Sequence, residues 1–282
     1  MTEFHNILNF FVESLAGLYS RNEIQSLCFQ VMQHLCNCSK ASLFASDGIV
    51  LTEDQKTRLD SFIQRLQNHE PVQYVIGNCD FFDIKLHVDK RVLIPRPETE
   101  ELVEWILNDN PNTKGSLFDI CTGSGCIAIT IKRYKPGFAV SALDLSAEAI
   151  FLAKENAETN NCKINFITDN ILQLSKPIEE KFDIIVSNPP YVMEKEKKEM
   201  KANVLEYEPS MALFVPNDDP LRFYQAIGEF GLAHLNSGGK LYFEINETQG
   251  ENTVNMLKNL GYKFITLKKD FFGKDRMVRA GI

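Results

Sequence analysis

Hydrophobic residues in the first part of the chain recur at spacings of three and four positions, which is the pattern of helices with one apolar face. Two stripes of this kind are formed by Phe4, Ile7, Leu8, Phe11, Leu15 and Leu18, and by Ile24, Leu27, Cys28, Val31, Met32 and Leu35. A third helix is predicted to begin at Thr52, because Gln55 lies in the position of a capping box. We therefore predict a helical bundle domain over residues 1–70. No cluster of titratable side chains stands out in it, so we expect it to recognise a partner rather than to carry chemistry.

The hydrophobic pattern changes after Pro71. Short segments over 80–88 and 91–94 predict a β-hairpin that turns at Asp89-Lys90. Prolines then stiffen the chain before the next helical pattern begins, as they do at the first turn of many helices. We interpret residues 71–97 as a hairpin linker between two domains, a position that favours ligand pockets.

From residue 98 onward, apolar runs typical of buried strands alternate with helical patterns. The predicted strands are 116–120, 138–144, 163–168, 182–187 and 240–245, followed by a terminal pair at 262–269 and 276–280. The predicted helices are 98–108, 124–135, 146–160, 217–235 and 248–260. Such alternation predicts an α/β domain over residues 98–282, a doubly wound, Rossmann-like sheet with a mostly parallel core.

A glycine-rich turn follows the first strand of this domain. Glycines at that place let the backbone approach a ligand, and the following helix N-terminus favours an anion. Asp144 ends the second strand, 21 residues after Gly123, where an acidic side chain can accept hydrogen bonds from ribose hydroxyls. We therefore predict a site for a cofactor that contains a nucleoside. Its candidate residues in the turn are Cys121, Thr122, Gly123, Ser124 and Gly125.

Two cofactors fit this turn. Gly123, Gly125 and Ala128 match the dinucleotide fingerprint, which favours a nicotinamide cofactor, whereas S-adenosylmethionine would place its carboxylate where a pyrophosphate otherwise binds. Asp169 and its neighbour Asn170 follow the third strand. Asp169 could accept a hydrogen bond from an adenine amino group, although an aspartate before a turn is equally often only a cap.

The stretch Asn188-Pro189-Pro190-Tyr191 follows an apolar strand, and its two prolines end that strand. Its chemistry suits a planar –NH2 acceptor. The Asn188 side-chain oxygen and the Pro189 carbonyl could each accept one N–H, and Tyr191 could cover the planar group. A hydride-transfer enzyme has no use for such a clamp, so this stretch favours S-adenosylmethionine. The alternative interpretation is a turn that only terminates the strand.

Composition narrows the class of protein. The chain has 282 residues and a net charge of −8, which argues against a protein that grips long nucleic acid through its phosphates. Its apolar runs are too short to span a bilayer and its first residues do not resemble a signal peptide. The seven cysteines are expected to be reduced thiols, and no metal site is predicted. We expect a cytoplasmic monomer that does not bind a membrane.

Together these features resemble the S-adenosylmethionine-dependent protein-glutamine N5-methyltransferases of the HemK/PrmC family, which modify bacterial peptide chain release factors. The resemblance covers nearly the whole chain. It rests on the helical domain, the stretch from Leu93 to Glu100, the glycine turn, Asp144 and Asn188 to Tyr191, together with Tyr207-Glu208-Pro209. The Asn-Pro-Pro-Tyr motif alone is shared with amino-methyltransferases that act on adenine in DNA.

The resemblance implies a class I methyltransferase domain, with a mostly parallel seven-stranded sheet and an antiparallel terminal strand. It implies that the turn residues and Asp144 hold the methyl donor, whose product is S-adenosylhomocysteine. It also implies that Asn188, Pro189, Pro190 and Tyr191 hold the glutamine of a Gly-Gly-Gln loop, with Asn188 also near the donor. Cys121 departs from the family, which usually has glycine there, and we expect its backbone to avoid positive φ.

Alternatives to a release factor remain open in the sequence. A glutamine N5-methyltransferase of a ribosomal protein would use the same catalytic motif with a different N-terminal surface. An adenine N6-methyltransferase acting on nucleic acid is disfavoured by the net acidity of the chain. A module that binds a nucleoside without turnover would have no need of the motif at Asn188.

Overall fold

The computed structural model describes residues 4–45 and 50–282. The chain divides into two compact units, which we call the helical unit (residues 1–78 and 201–207) and the sheet unit (79–200 and 208–282). The predicted helical bundle therefore includes a few positions, 1–3 and 46–49, that lie outside the described residues. Each unit has its own hydrophobic core.

The described helices and strands follow the predicted alternation closely. The helices are α1 (Phe4–Leu15), α2 (Arg21–Cys36), α3 (Lys40–Ala45), α4 (Glu53–Gln67), α5 (Val72–Ile76), α6 (Pro97–Asp109), α7 (Cys126–Tyr134), α8 (Ala147–Thr159), α9 (Ala202–Tyr207), α10 (Ser210–Leu213), α11 (Arg222–His234) and α12 (Gly250–Leu260). The strands are β1 (Asn78–Phe81), β2 (Ile84–His87), β3 (Lys114–Ile120), β4 (Gly137–Asp144), β5 (Asn165–Thr168), β6 (Phe182–Ser187), β7 (Val192–Met193), β8 (Phe214–Val215), β9 (Leu235–Glu244), β10 (Lys263–Lys269) and β11 (Asp275–Gly281). None of the described helices has the length and apolar character needed to span a bilayer.

The helical unit is held by the apolar stripes that its sequence predicts. Phe11, Leu15, Met32 and Leu66 are fully buried together in its core. The capping box predicted at the start of α4 is confirmed, since the Thr52 side chain accepts from the backbone of residue 55 and the reverse bond also forms. The short helix α9 belongs to this unit, although it lies far along the chain.

The sheet unit contains a seven-stranded sheet in the order β10-β11-β9-β6-β3-β4-β5. Strands β9, β6, β3, β4 and β5 are parallel, and β11 pairs antiparallel with both β9 and β10. The predicted class of fold is therefore confirmed. Alternate residues of a strand face opposite sides of a sheet. Accordingly Leu117 joins a core with α6 and α7, while Phe118 joins a second core with α11 and α12.

The strand order indicates at which edge of the sheet a ligand is expected to bind. β3 lies between β4 and β6, because the chain runs outward from β3 to β4 and β5 and then crosses back to β6 on the other side of β3. Ligands of such sheets bind at the carboxyl ends of the strands where the order reverses in this way. In the pairing register Ile120 lies beside Ser187, and Ser187 lies beside Phe243. The residues that follow β3, β6 and β9 therefore meet at one edge.

The hairpin prediction was wrong in its position. The two strands are β1 and β2, and they turn at Phe82-Asp83, where Phe82 has φ +58°. Asp89 instead shapes a separate turn, because its carboxylate accepts the Arg91 backbone N–H at 3.0 Å and pairs with the Arg91 guanidinium. The charged run that follows β7 forms a 3₁₀ helix over Glu194–Glu199.

Candidate active site

The glycine turn connects β3 to α7 through three residues with positive φ. Gly123 has φ +54° and Gly125 has φ +82°. A Cβ at Gly125 would also approach Ile129 Cδ1 to 3.0 Å, whereas a Cβ at Gly123 would meet nothing within 4 Å. Gly125 is thus required by backbone conformation and by close packing, and Gly123 leaves open space for a ligand.

The backbone conformation of Cys121 differs from the one expected from the sequence. Its φ is +62°, in the left-handed region that favours glycine, and not a negative value as expected for a thiol residue. The chain turns away from β3 at Cys121, and the next residue is held by a hydrogen bond from the Thr122 N–H to the Leu143 carbonyl at 3.0 Å. Burial raises the pKa of the Cys121 thiol, which keeps it neutral.

Asp144 lies at the end of β4 with its carboxylate against the glycine turn. One oxygen accepts the Gly123 N–H at 2.8 Å and the other accepts the Ser146 N–H at 2.9 Å. Burial raises the pKa of this carboxyl, and the backbone donors oppose that shift. The backbone bonds hold the carboxylate in place beside the open space at Gly123, and each oxygen retains a lone pair for further donors.

Asp119 is a buried acidic residue that the sequence analysis did not single out. Its side chain is fully buried, and Oδ2 accepts hydrogen bonds from the Thr122 hydroxyl at 2.6 Å and the Ala128 N–H at 3.3 Å. The other oxygen, Oδ1, has no hydrogen-bond partner among the described residues. Burial raises the pKa of Asp119 to about 7. The turn therefore rests on a carboxyl group that titrates near neutral pH.

Asn188 follows β6 and is held by a buried hydrogen-bond chain. Its Nδ2 donates to Thr99 Oγ1 at 3.2 Å, and the Thr99 hydroxyl donates to Glu244 Oε2 at 2.6 Å. The Tyr191 hydroxyl donates to the other Glu244 oxygen at 3.1 Å. We call Asn188, Thr99, Glu244 and Tyr191 the buried network. It ties both ends of the Asn-Pro-Pro-Tyr motif to one carboxylate.

Glu244 owes its place to the sheet register. It is the last residue of β9, only 1% exposed, and it follows Phe243, the register partner of Ser187. Burial raises its pKa, while the hydrogen bonds from Thr99 and Tyr191 and the charge of Arg276 act in the opposite direction. No role for Glu244 or Thr99 was predicted from the sequence. An acidic residue at the end of a predicted parallel strand was the available signal for Glu244.

A second buried carboxylate fixes the stretch that precedes α6. Glu208 accepts the Arg96 guanidinium at 2.7 Å and the Ile94 backbone N–H at 3.2 Å. Its side chain is 1% exposed, so the ion pair is shielded from solvent on that side. Leu93, Pro95 and Arg96 consequently line the same cavity as the glycine turn.

Most of the predicted site residues meet in this cavity, although not all of them line it. Seven of them contribute to its wall: Cys121, Thr122, Gly123, Ser124, Asp144, Asn188 and Pro190. Gly125, Pro189 and Tyr191 belong to the same turns but do not line the cavity. Asp169 and Asn170 are outside it. Both Asp169 oxygens accept from Ser175, and Oδ1 also accepts the Asn170 N–H at 2.8 Å, so this carboxylate caps a turn.

Comparison with known proteins identifies two matching domain families and several similar sequences. Residues 7–77 match the family described as the PrmC N-terminal domain, and residues 98–208 match the methyltransferase small domain. The chain is 42% identical over 274 residues to the release factor glutamine methyltransferase of Flavobacterium psychrophilum, covering 96% of each chain. It is 41% identical to that of Bacteroides thetaiotaomicron (95% of this chain, 96% of the relative) and 43% identical to that of Streptococcus pneumoniae (91% of each).

Solved structures share the fold at lower identity. A methyltransferase from Pyrococcus furiosus has a TM-score of 0.52 at 18% identity, covering 82% of this chain and 98% of its own. The hMettl16 catalytic domain has a TM-score of 0.56 at 15% identity, covering 82% and 81%. These structures support the fold alone, whereas the identity of 41–43% to release factor glutamine methyltransferases over 91–96% of the chain identifies the family. The chain belongs to the release factor glutamine methyltransferases.

Proposed function

We propose that this protein transfers a methyl group from S-adenosylmethionine to the side-chain N5 nitrogen of the glutamine in the Gly-Gly-Gln motif of peptide chain release factors. The observation that carries the proposal is the orientation of Asn188. Its –NH2 group is occupied by Thr99, so its Oδ1 remains as an acceptor beside the cavity that Asp144 and Gly123 line. An acceptor at that position suits a substrate amide, which presents two N–H donors.

The cavity fits the methyl donor. Asp144 offers fixed lone pairs suited to ribose hydroxyls, and the open space at Gly123 lets a ligand approach the backbone of the turn. When bound, the donor supplies an electrophilic methyl carbon on a sulfonium and leaves as S-adenosylhomocysteine. Asp169 and Asn170 lie outside the wall of the cavity, so a role for them in adenine binding needs a rearrangement of their turn. We therefore place the weight of donor binding on Asp144 and the turn at residues 121–125.

The residues after β6 would act on the substrate amide by holding and polarising it. Asn188 Oδ1 would accept one of its N–H groups, which aims the nitrogen toward the methyl carbon. The Pro189 carbonyl, which the sequence predicts to accept the other N–H, belongs to a residue that does not line the cavity, so the proposal places the weight of this step on Asn188. Positioning of this kind supplies most of the rate of a displacement reaction. The same Asn188 oxygen would stabilise positive charge as it develops on the nitrogen. The alkylated nitrogen then releases one proton to water, so no dedicated side-chain base is required.

The partner is proposed to be a protein. Full-length similarity to release factor glutamine methyltransferases, together with the net charge of −8, favours a release factor over a ribosomal protein or a nucleic acid. We propose that the helical unit recognises the body of this substrate, because it carries a matched PrmC N-terminal domain. We extend the proposal to a cytoplasmic monomer.

The function is tested by incubating the protein with methyl-labelled S-adenosylmethionine and purified release factor, ribosomal proteins, ribosomal RNA or duplex DNA. We expect label on the release factor alone, and tandem mass spectrometry should place one methyl group on the Gly-Gly-Gln glutamine. A release factor in which that glutamine is replaced by alanine is the control and should stay unlabelled. Label on a ribosomal protein or on nucleic acid, with none on release factor, would overturn the proposal.

A further inference from the structure

Glu244, the last residue of β9, is a buried carboxylate next to the candidate active site. We propose that Glu244 is a positioning residue that sets which way round the Asn188 amide faces, and that it does so through the hydroxyl of Thr99. This inference rests on the proposed function, because it concerns how the substrate amide is held. Glu244 lies behind the cavity wall and is 1% exposed, so it acts through its neighbours rather than on the substrate.

The orientation of Asn188 depends on the one hydrogen that the Thr99 hydroxyl can donate. A threonine hydroxyl has a single hydrogen and two lone pairs. Thr99 donates that hydrogen to Glu244 Oε2 at 2.6 Å, so toward Asn188 it can only accept. Asn188 must therefore turn its –NH2 group to Thr99, at 3.2 Å, and its oxygen to the cavity. The polarity of the amide follows from the acceptor on the far side of Thr99.

Without a carboxylate at 244 this polarity would be lost. The Thr99 hydroxyl could then rotate and donate to Asn188 Oδ1, and the amide would turn over to present –NH2 to the cavity. A donor at that position repels the N–H groups of a substrate amide instead of accepting them. Glu244 thus excludes the unproductive orientation of the Asn188 amide. The two orientations have nearly the same shape and differ only in which of the nitrogen and the oxygen faces the cavity.

Glu244 also fixes the other end of the motif. Its Oε1 accepts the Tyr191 hydroxyl at 3.1 Å, so an ionised carboxylate satisfies two donors at once. The charges that face it are the guanidinium of Arg276, which favours ionisation, and the carboxylate of Glu98, which opposes it. A glutamine at 244 could accept only one of the two hydroxyl donors, because its –NH2 group would face the other.

The network explains why two distant stretches of sequence belong together. Thr99 is 89 residues from Asn188 and 145 residues from Glu244. It lies in the first turn of α6, directly after the stretch that Glu208 holds by Ile94 and Arg96. The first turn of α6 therefore supplies the hydroxyl that connects the Glu244 carboxylate at the end of β9 to the Asn188 amide that follows β6.

The test uses the full chain with release factor as substrate. Glu244→Gln should lower kcat about 10- to 100-fold, the scale on which small misplacements act, while the affinity for S-adenosylmethionine measured by calorimetry stays normal. The Thr99→Val variant, which keeps the shape of the side chain and removes its hydroxyl, should show a similar decrease in kcat. Thr99→Ser restores the hydroxyl and should turn over near the wild-type rate. Glu180→Gln, an exposed change, is the matched control.

The double variant carrying Glu244→Gln and Thr99→Val separates positioning from general damage. If both residues act through one chain, the double variant should be no slower than the slower single variant. A Thr99→Val variant at the wild-type rate would overturn the proposal, and so would a kcat within twofold of wild type for Glu244→Leu, which leaves no acceptor at 244 in either orientation. Should Glu244→Gln fail to fold, the Thr99→Val and Thr99→Ser pair still decides. Failure of the wild-type protein to methylate release factor would instead refute the proposed function.

Discussion

Replacement of Asn188 by alanine isolates the contribution of the amide to turnover. The change removes an oxygen that the buried network holds at the cavity, and it leaves Asp144 and the glycine turn untouched. Loss of one preorganised group of this kind costs about 10²–10³-fold in kcat, or about 2.7–4 kcal/mol of transition-state stabilisation. Because we propose that the turn and Asp144 hold most of the methyl donor, the affinity for the donor should change much less.

The matched variant Asn188→Asp sharpens the prediction. It preserves shape and an acceptor oxygen, yet it loses the donor that Thr99 accepts at 3.2 Å. Since the Thr99 hydrogen is directed to Glu244, an aspartate oxygen would face a lone pair and lie near a second carboxylate. We therefore expect Asn188→Asp to be at least as slow as Asn188→Ala, although it is closer to asparagine in size.

The assay is steady-state methylation of intact release factor, with donor affinity measured separately by calorimetry. Asn112→Ala, an exposed asparagine away from the cavity, is the control and should match wild type. Wild-type turnover by Asn188→Ala would refute the clamp and return the Asn-Pro-Pro-Tyr stretch to a strand-terminating turn. An equal loss of donor affinity and turnover would show that Asn188 acts in donor binding.

Three further predictions concern the glycine turn. Asp144→Ala should weaken S-adenosylmethionine binding by about 1.5–3 kcal/mol in calorimetry, the scale of hydrogen bonds to a charged group, and unchanged affinity would contradict the ribose assignment. Cys121→Gly should be more stable to urea than Cys121→Ala by about 1–2 kcal/mol, because only glycine adopts φ +62° without strain; equal stability would refute this. The pKa of Asp119 is raised to about 7 in the folded protein, from its ordinary value of 3.8. The folded state therefore holds a proton that the unfolded chain releases, and this proton stabilises the fold fully at a pH below the unfolded pKa. That contribution to the free energy of unfolding is lost as the pH rises through the folded pKa. The unfolding free energy of wild type should therefore fall more between about pH 5 and pH 7 than that of Asp119→Asn, and parallel pH profiles would contradict the assignment.

The fold was largely readable from the sequence because its signals are local. Helical spacing in the first 70 residues and alternating strands and helices from residue 98 report which face of each element is buried, and burial is set residue by residue. The hairpin was misplaced because Phe82 supplies the turn by adopting a positive φ, for which a bulky aromatic residue gives no signal. Asp89, a common turn residue, shaped a different turn.

The candidate site also contains some residues that could be predicted from the sequence and some that could not. The glycine turn, Asp144 and Asn188 were predicted because each follows a strand, and the carboxyl ends of parallel strands share an edge. The partners of Asn188 were not, since Thr99 and Glu244 are remote in sequence and meet only through the β6–β9 register and the first turn of α6. Sequence by itself determined which residue types stand at the edge of the sheet. Only the tertiary structure decided the direction of each hydrogen bond there, because that direction depends on the single hydrogen of a hydroxyl shared between two neighbours.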